Sequence, residues 1–169
     1  MTPQEIEFFL AVAQIAMAVV TFAALVLVLR QLVGGGLGSF HVLALKMFAV
    51  AGFETTSCAL VPFVLDFAGM DRVSLWRISC GVLIVVMVAT NTWYFRARRR
   101  AAPSRRNNSG IWVSGVAHLA AIGLMSAQVF ALISADSPAP LAVGLITCLV
   151  PMAAGFLTTL QDFLEVEPS

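Results

Sequence analysis

The stretch VLALKMFAVAGFETTSCALVPFVLDF, residues 42–67, decides the fold. It is apolar over a length sufficient to cross a hydrocarbon core of about 30 Å, which takes about 20 residues of α-helix. In its middle it carries a single carboxylate, Glu54. An acidic side chain at the centre of a membrane helix costs roughly 2.5 to 3.5 kcal/mol on insertion scales. Such a group is therefore expected to face a bundle interior, a partner or a water-filled path.

Four further apolar runs flank this one, at 6–29, 75–95, 111–134 and 141–160. Hydrophobic residues make up 60% of the chain and charged residues 11%, with a mean hydropathy of +0.93, which places the sequence outside the range of water-soluble domains. Hydrocarbon offers the backbone no hydrogen bonds, and the alternating pattern of a barrel is absent. The expectation is an all-α, polytopic membrane bundle with five transmembrane helices, a single integral domain over residues 1–169.

Glycines 34, 35, 36 and 38, residues 70–74 and residues 135–140 read as short connections. The remaining one, RARRRAAPSRRNNSG at 96–110, reads as a basic surface loop. Lys and Arg are retained on the cytoplasmic side of short loops. Arg30, Lys46, Arg96, Arg98, Arg99, Arg100, Arg105 and Arg106 fall on one side, and Arg72 and Arg77 on the other with Asp66 and Asp71. This bias predicts the N-terminus outside and the C-terminus inside. MTPQEIE lacks the basic start of a signal peptide, so helix 1 is expected to remain uncleaved.

The arginines Arg96, Arg98, Arg99, Arg100, Arg105 and Arg106 are explained by topology, with contact to anionic lipid headgroups following from it. Nucleic acid is not an expected partner. Trp76, Trp93, Tyr94 and Trp112 lie at predicted helix ends, where amphipathic rings anchor in the headgroup region.

Counting 1.5 Å per residue from the inner end of each run sorts the polar residues into two layers. Gln14, Glu54 with Thr55 and Thr56, and Thr147 fall roughly 18 to 20 Å up, near the midplane; Thr21, Thr90, Asn91 and His118 fall at roughly 6 to 10 Å. Gln14 is then the candidate partner of Glu54, through its amide. His118 stands about 8 Å away along the axis, so proton exchange with Glu54 needs intervening water. The expected proton or cation path comprises Glu54, Gln14, Asn91, His118 and Thr147. The rival expectation is a clasp, with Glu54 fixing helix packing in a non-catalytic scaffold or subunit.

Three cysteines lack any CxxC spacing, and metal binding is not expected; Cys58 and Cys80 reach similar heights, so a disulfide between them is geometrically conceivable. A haem between His41 and His118 is disfavoured because His41 falls at the interface. No Ser/His/Asp set or metal-ligand cluster can be assembled, so no enzyme and no cofactor is expected. Ala120, Gly123, Ala127 and Ala131 form a small-residue stripe, which predicts that helix 4 is central or lies at a subunit contact. Pro62 and Pro151 each remove one helical hydrogen bond.

AQIAMAVVTFAALVLVL at 13–29, ALVPFVLDFAG at 59–69 and SLWRISCGVL at 74–83 together resemble small bacterial inner-membrane proteins of unassigned function. The resemblance covers roughly the first half of the chain and implies a helical protein of the bacterial inner membrane. It supplies no catalytic or binding residue. Five helices make a small bundle, so a pore is expected between copies in a homo-oligomer or with a partner membrane protein.

Overall fold

The computed structural model describes residues 1–32, 39–101, 109–134 and 136–164. Within these, side chains are described except at 30, 31, 39–41, 44, 101, 109–114, 151 and 153–164. Five helices follow in order: α1 Pro3–Leu32, α2 Ser39–Phe67, α3 Arg72–Ala101, α4 Ser109–Val129 and α5 Ala139–Leu164. Three stretches, Pro3–Leu29, Leu45–Phe67 and Arg72–Arg100, are long and apolar enough to cross a membrane. The described apolar parts of the last two helices are shorter, Gly115–Val129 and Ala139–Val150. The exterior has the character of a lipid-facing surface: Phe22, Leu25, Val64, Val85, Leu119 and Val150 are among many large apolar side chains left exposed.

Local chemistry sets the helix ends. At the start of α1, the Thr2 hydroxyl accepts from the Glu5 amide (3.3 Å) while the Thr2 amide donates to Glu5 Oε2 (2.7 Å), a reciprocal capping box with Pro3 in the first turn. Asp71 caps α3 by accepting the Ser74 amide at 3.0 Å. The Ser74 amide, helped by its hydroxyl, holds the Asp71 carboxyl below its ordinary value. Gly69 closes α2 at φ +75°, with the Met70 amide reaching the Leu65 carbonyl and the Gly69 amide that of Asp66. The same closure ends α4, but there an alanine, Ala131, occupies the left-handed position at φ +59°. Helix α4 therefore stops at Val129, short of the run to 134 expected from hydropathy alone.

The larger correction concerns the basic segment. Residues 96–101 are the last turns of α3, so the connection is shorter than 96–110. Arg98, Arg99 and Arg100 there face the negative end of the helix dipole. The chain does not break where hydropathy falls, because arginine is a good helix former whose stem can reach along apolar surface to the interface.

Helix α5 packs against all four others, whereas among the described residues α4 packs against α3 and α5 and not α2. The hub is therefore α5. Along α4, Gly123 and Ala120 are exposed, and a Cβ on Gly123 would meet nothing within 4 Å. At Gly123 the small-residue stripe thus makes no close approach to the described residues. Close approach occurs at Gly52, against Val20 and Ala16 of α1, and at Gly144, against Met125 and Leu83. The main core joins Phe9, Val12, Leu75, Trp76, Leu83, Met125, Leu141 and Leu145. A smaller cluster of Ala23, Phe48 and Met152 fills the other half.

Trp76 is fully buried, stacked on Phe9 with ring centroids 5.6 Å apart, and is a core plug instead of a headgroup anchor. Trp93 is exposed. The side chains of His41, Trp112 and Pro151 are not described, and Arg105, Arg106 and the glycine connection lie outside the described residues.

Candidate functional site

Glu54 is half-buried on α2, two residues beyond the point where Gly52 lets α1 approach closely. A carboxylate in mid-helix cannot turn back on its own backbone, whose N–H groups are already used in the helix ladder, so it must find donors across an interface. Here the donor is the Thr90 hydroxyl of α3, which bonds Glu54 Oε1. Cys58, one turn along α2, and Cys148 on α5 are the neighbouring titratable groups. Thr56 donates to the Ala13 carbonyl of α1 at 3.4 Å, so polar contacts from α2 reach helices on two sides at this depth.

The Thr90 contact changes the layering expected from the sequence. Measured from the observed ends at Ser39 and Ala101, Glu54 lies about 22 Å up α2 and Thr90 about 16 Å up α3, a gap of about 6 Å, where run ends at 42 and 95 put them about 10 Å apart. The error was in the helix end. Gln14 is exposed, so the expected Gln14 to Glu54 pairing is replaced by Thr90. Asn91 is half-buried and donates to the Met87 carbonyl of its own helix at 2.7 Å. Thr147 likewise donates to the Val143 carbonyl at 2.7 Å. His118 is half-buried on α4, which packs on α3 and α5. Of the five expected path residues, Gln14 is exposed and Asn91 and Thr147 bond their own helices, so the hydroxyl that reaches Glu54 comes from outside the set.

A fissure of about 250 Å³ opens beside this contact, lined by Val50, Ala89, Thr90 and Trp93. Val50 precedes Glu54 by one helical turn and shares its face. Ala89 and Trp93 are exposed, so the fissure opens sideways between α2 and α3.

Among the arginines expected at headgroups, Arg96, Arg99 and Arg100 are exposed. Arg98 is buried, with Nη1 donating to the Tyr94 hydroxyl at 3.2 Å, so it belongs to the packing and not to the lipid-facing set.

At the opposite end a second polar cluster ties the bundle. Arg72 makes a two-pronged contact with the Glu5 carboxylate of α1, and its Nε donates to the Asp136 carbonyl at 3.2 Å. Its guanidinium carbon also lies 6.0 Å from the Trp76 ring centroid. The Met1 amino group pairs with Asp66 at 2.9 Å. The Ser134 hydroxyl donates to Asp136 at 2.6 Å and, ahead of Arg72, holds that carboxyl below its ordinary value. Deeper in, Gln128 is fully buried: its Nε2 donates to the Ser137 carbonyl at 2.6 Å and its Oε1 accepts from the Cys80 thiol at 3.1 Å. Cys58 and Cys80 are both free thiols, not the conceivable disulfide.

Gln128 and Glu5 were missed from the sequence, where their available signals were a lone amide in an apolar run and the T-x-x-E spacing of MTPQE; the pairing of Arg72 with Glu5 had no signal in sequence. No grouping of three or more His, Cys, Asp or Glu side chains is arranged to hold a metal among the described residues. Comparison of the chain with protein families, with curated proteins and with solved structures found no match.

Proposed function

We propose that this chain is a small multi-pass protein of the bacterial inner membrane, with five spanning helices, the N-terminus outside and the C-terminus inside. In it Glu54 binds a proton or a small cation as part of an oligomeric channel or transporter. The observation that carries this reading is the environment of Glu54: a half-buried carboxylate inside an apolar helix, met by a neutral hydroxyl. A neutral hydrogen bond contributes about 1 kcal/mol, against roughly 2.5 to 3.5 kcal/mol for placing the acid at that depth. The balance is offset by taking up a proton or a cation. In an assembly of copies, Arg96, Arg99 and Arg100 meet anionic headgroups on the cytoplasmic side, where Arg105 and Arg106 also fall.

Protein reconstituted in liposomes should carry a proton or cation flux that Glu54→Gln abolishes. Equal flux from wild type and variant rejects the role given to Glu54.

A second reading has its own support. The Thr90 hydroxyl on Glu54 is a contact between helices, and the neighbouring Thr55, Asn91, Thr92 and Thr147 are each satisfied within their own helix. That pattern suits a scaffold or membrane subunit in which Glu54 only fixes the register of α2 against α3. In that case Glu54→Gln leaves folding and partner capture intact, while Glu54→Leu loosens the α2 and α3 pair.

A further inference from the structure

We infer that the fissure between α2 and α3 is a lateral binding site for a small lipophilic cation, an apolar body carrying one positive charge, which enters from the bilayer side. The inference rests on the reading of Glu54 as a cation-binding carboxylate and assigns the class of cation. Three features of the fissure select that class. Its walls are apolar, formed by Val50, Ala89 and Trp93. Its polar wall residue, Thr90, is the one that touches Glu54. Its rim is an exposed indole, the aromatic surface that best attracts a cation desolvated from water.

A hydrated metal ion is a poor fit, because an apolar wall replaces none of the water ligands it would shed. A neutral apolar molecule leaves the carboxylate without compensation. An organic cation satisfies both surfaces: its hydrocarbon lies along Val50 and Ala89, and its charge lies against the Trp93 ring on the side of Thr90, the residue that bonds Glu54. At about 250 Å³ the fissure is smaller than the pockets that take drug-sized molecules, so the occupant has on the order of ten non-hydrogen atoms. It competes with the proton for Glu54. The titratable groups beside Glu54 are the thiols Cys58 on α2 and Cys148 on α5. Helix α1 carries no titratable residue between Glu7 and Arg30, and α3 none between Cys80 and Tyr94. The competition is therefore set by Glu54 itself.

The test is equilibrium dialysis of radiolabelled benzyltrimethylammonium against the full chain in neutral detergent micelles, with neopentylbenzene as a neutral competitor of the same shape. Circular dichroism and monodisperse elution establish that each variant is folded. Wild type should bind one saturable equivalent that neopentylbenzene does not displace and that acidification weakens. Glu54→Gln should lower affinity at least tenfold. Trp93→Ala should lower it about 2- to 30-fold, with Trp93→Phe in between. Thr90→Val should bind at least as tightly as wild type, since it frees the carboxylate and keeps its charge. Equal affinity in Glu54→Gln, or displacement by neopentylbenzene, overturns the proposal. If liposome flux depends on Glu54 while the quaternary amine does not bind, the lipophilic-cation site falls and the proton or cation reading stands. If neither is seen, both fall.

Discussion

Substituting Gly52 by alanine tests the packing that holds Glu54 in place. A Cβ there would lie 2.0 Å from Val20 Cγ2 and 3.2 Å from both the Ala16 carbonyl oxygen and Met152 Cε. Carbon atoms in contact prefer about 3.5 to 4.0 Å, so the first of these distances must open by about 1.5 Å. Valine in a helix holds one χ1 rotamer about 90% of the time, so Val20 yields only at a cost, and the Ala16 carbonyl belongs to the α1 backbone and cannot yield alone. The helices must therefore part, or Val20 must take a poor rotamer. Overpacking of this kind costs about 1 to 3 kcal/mol, and the 2.0 Å contact places Gly52→Ala in the upper part of that range. Reversible unfolding in mixed micelles titrated with denaturing detergent reads the change. Val20→Ala removes the obstructing methyl groups and should rescue the double variant, giving an interaction energy of about 2 kcal/mol in the cycle. Gly123→Ala is the control: its Cβ meets nothing within 4 Å, so the substitution should be neutral or gain up to about 1 kcal/mol from helix propensity. The Thr56 hydroxyl bond to Ala13 crosses the same interface, so Gly52→Ala should also lower any Glu54-dependent flux. A Gly52→Ala protein as stable as wild type, or no rescue by Val20→Ala, would refute the close approach of α1 to α2.

Ala131→Gly should raise stability by about 1 kcal/mol in the same titration, because glycine carries no Cβ penalty at φ +59°; a loss of stability contradicts the closure drawn for α4. Gln128→Leu should lower stability by about 1 to 3 kcal/mol, since it strips the Ser137 carbonyl and the Cys80 thiol of a buried partner, and a neutral result by thermal melting would show that water replaces the amide. Asp71 and Asp136 have folded pKa values below the ordinary 3.8, so the unfolded chain takes up protons first. Their contribution is complete above that value and is lost as pH falls through the lower folded values. Melting temperatures should hold from pH 7 to about 5 and decline below about 4, with a shallower acid limb in Asp71→Asn/Asp136→Asn; an unchanged limb excludes these two groups.

The positions of the helices were legible in the sequence because each falls on a long apolar run, and three of them reach the length that hydrocarbon thickness demands. Ends were less legible, since they depend on local bonds that hydropathy ignores. The basic turn at 96–101 stays helical, and α4 stops early at the closure around Ala131. What failed most was direction around the helix axis. Rise along the axis fixes height, but which side a residue faces depends on which helices pack together, and that is a tertiary property. Gln14 and Glu54 share a height, yet Gln14 is exposed; Arg98 stands among exposed arginines, yet is buried against Tyr94. Glu54 itself was legible as a residue in need of a partner. Its partner was not, because Thr90 was assigned the wrong height from the wrong helix end.

Thr90→Val separates the two readings of the site because they make opposite demands on the same hydroxyl. In mid-bundle, Thr55, Asn91, Thr92 and Thr147 each donate to a carbonyl of their own helix, and Thr55 also meets Cys148 of α5. Glu54 has no such recourse, being an acceptor among backbone donors already engaged. If the Thr90 contact is a clasp, its removal should cost about 0.6 kcal/mol, the usual worth of a polar contact between membrane helices, and no flux should appear in either protein. If Glu54 is a binding group, the hydroxyl competes with the proton or cation for the same oxygen, and its loss should raise occupancy and Glu54-dependent flux above wild type. Measuring stability and flux on the one variant decides the matter. A drop in stability with no flux rejects transport, whereas increased flux rejects the view that the carboxylate serves only to register α2 against α3.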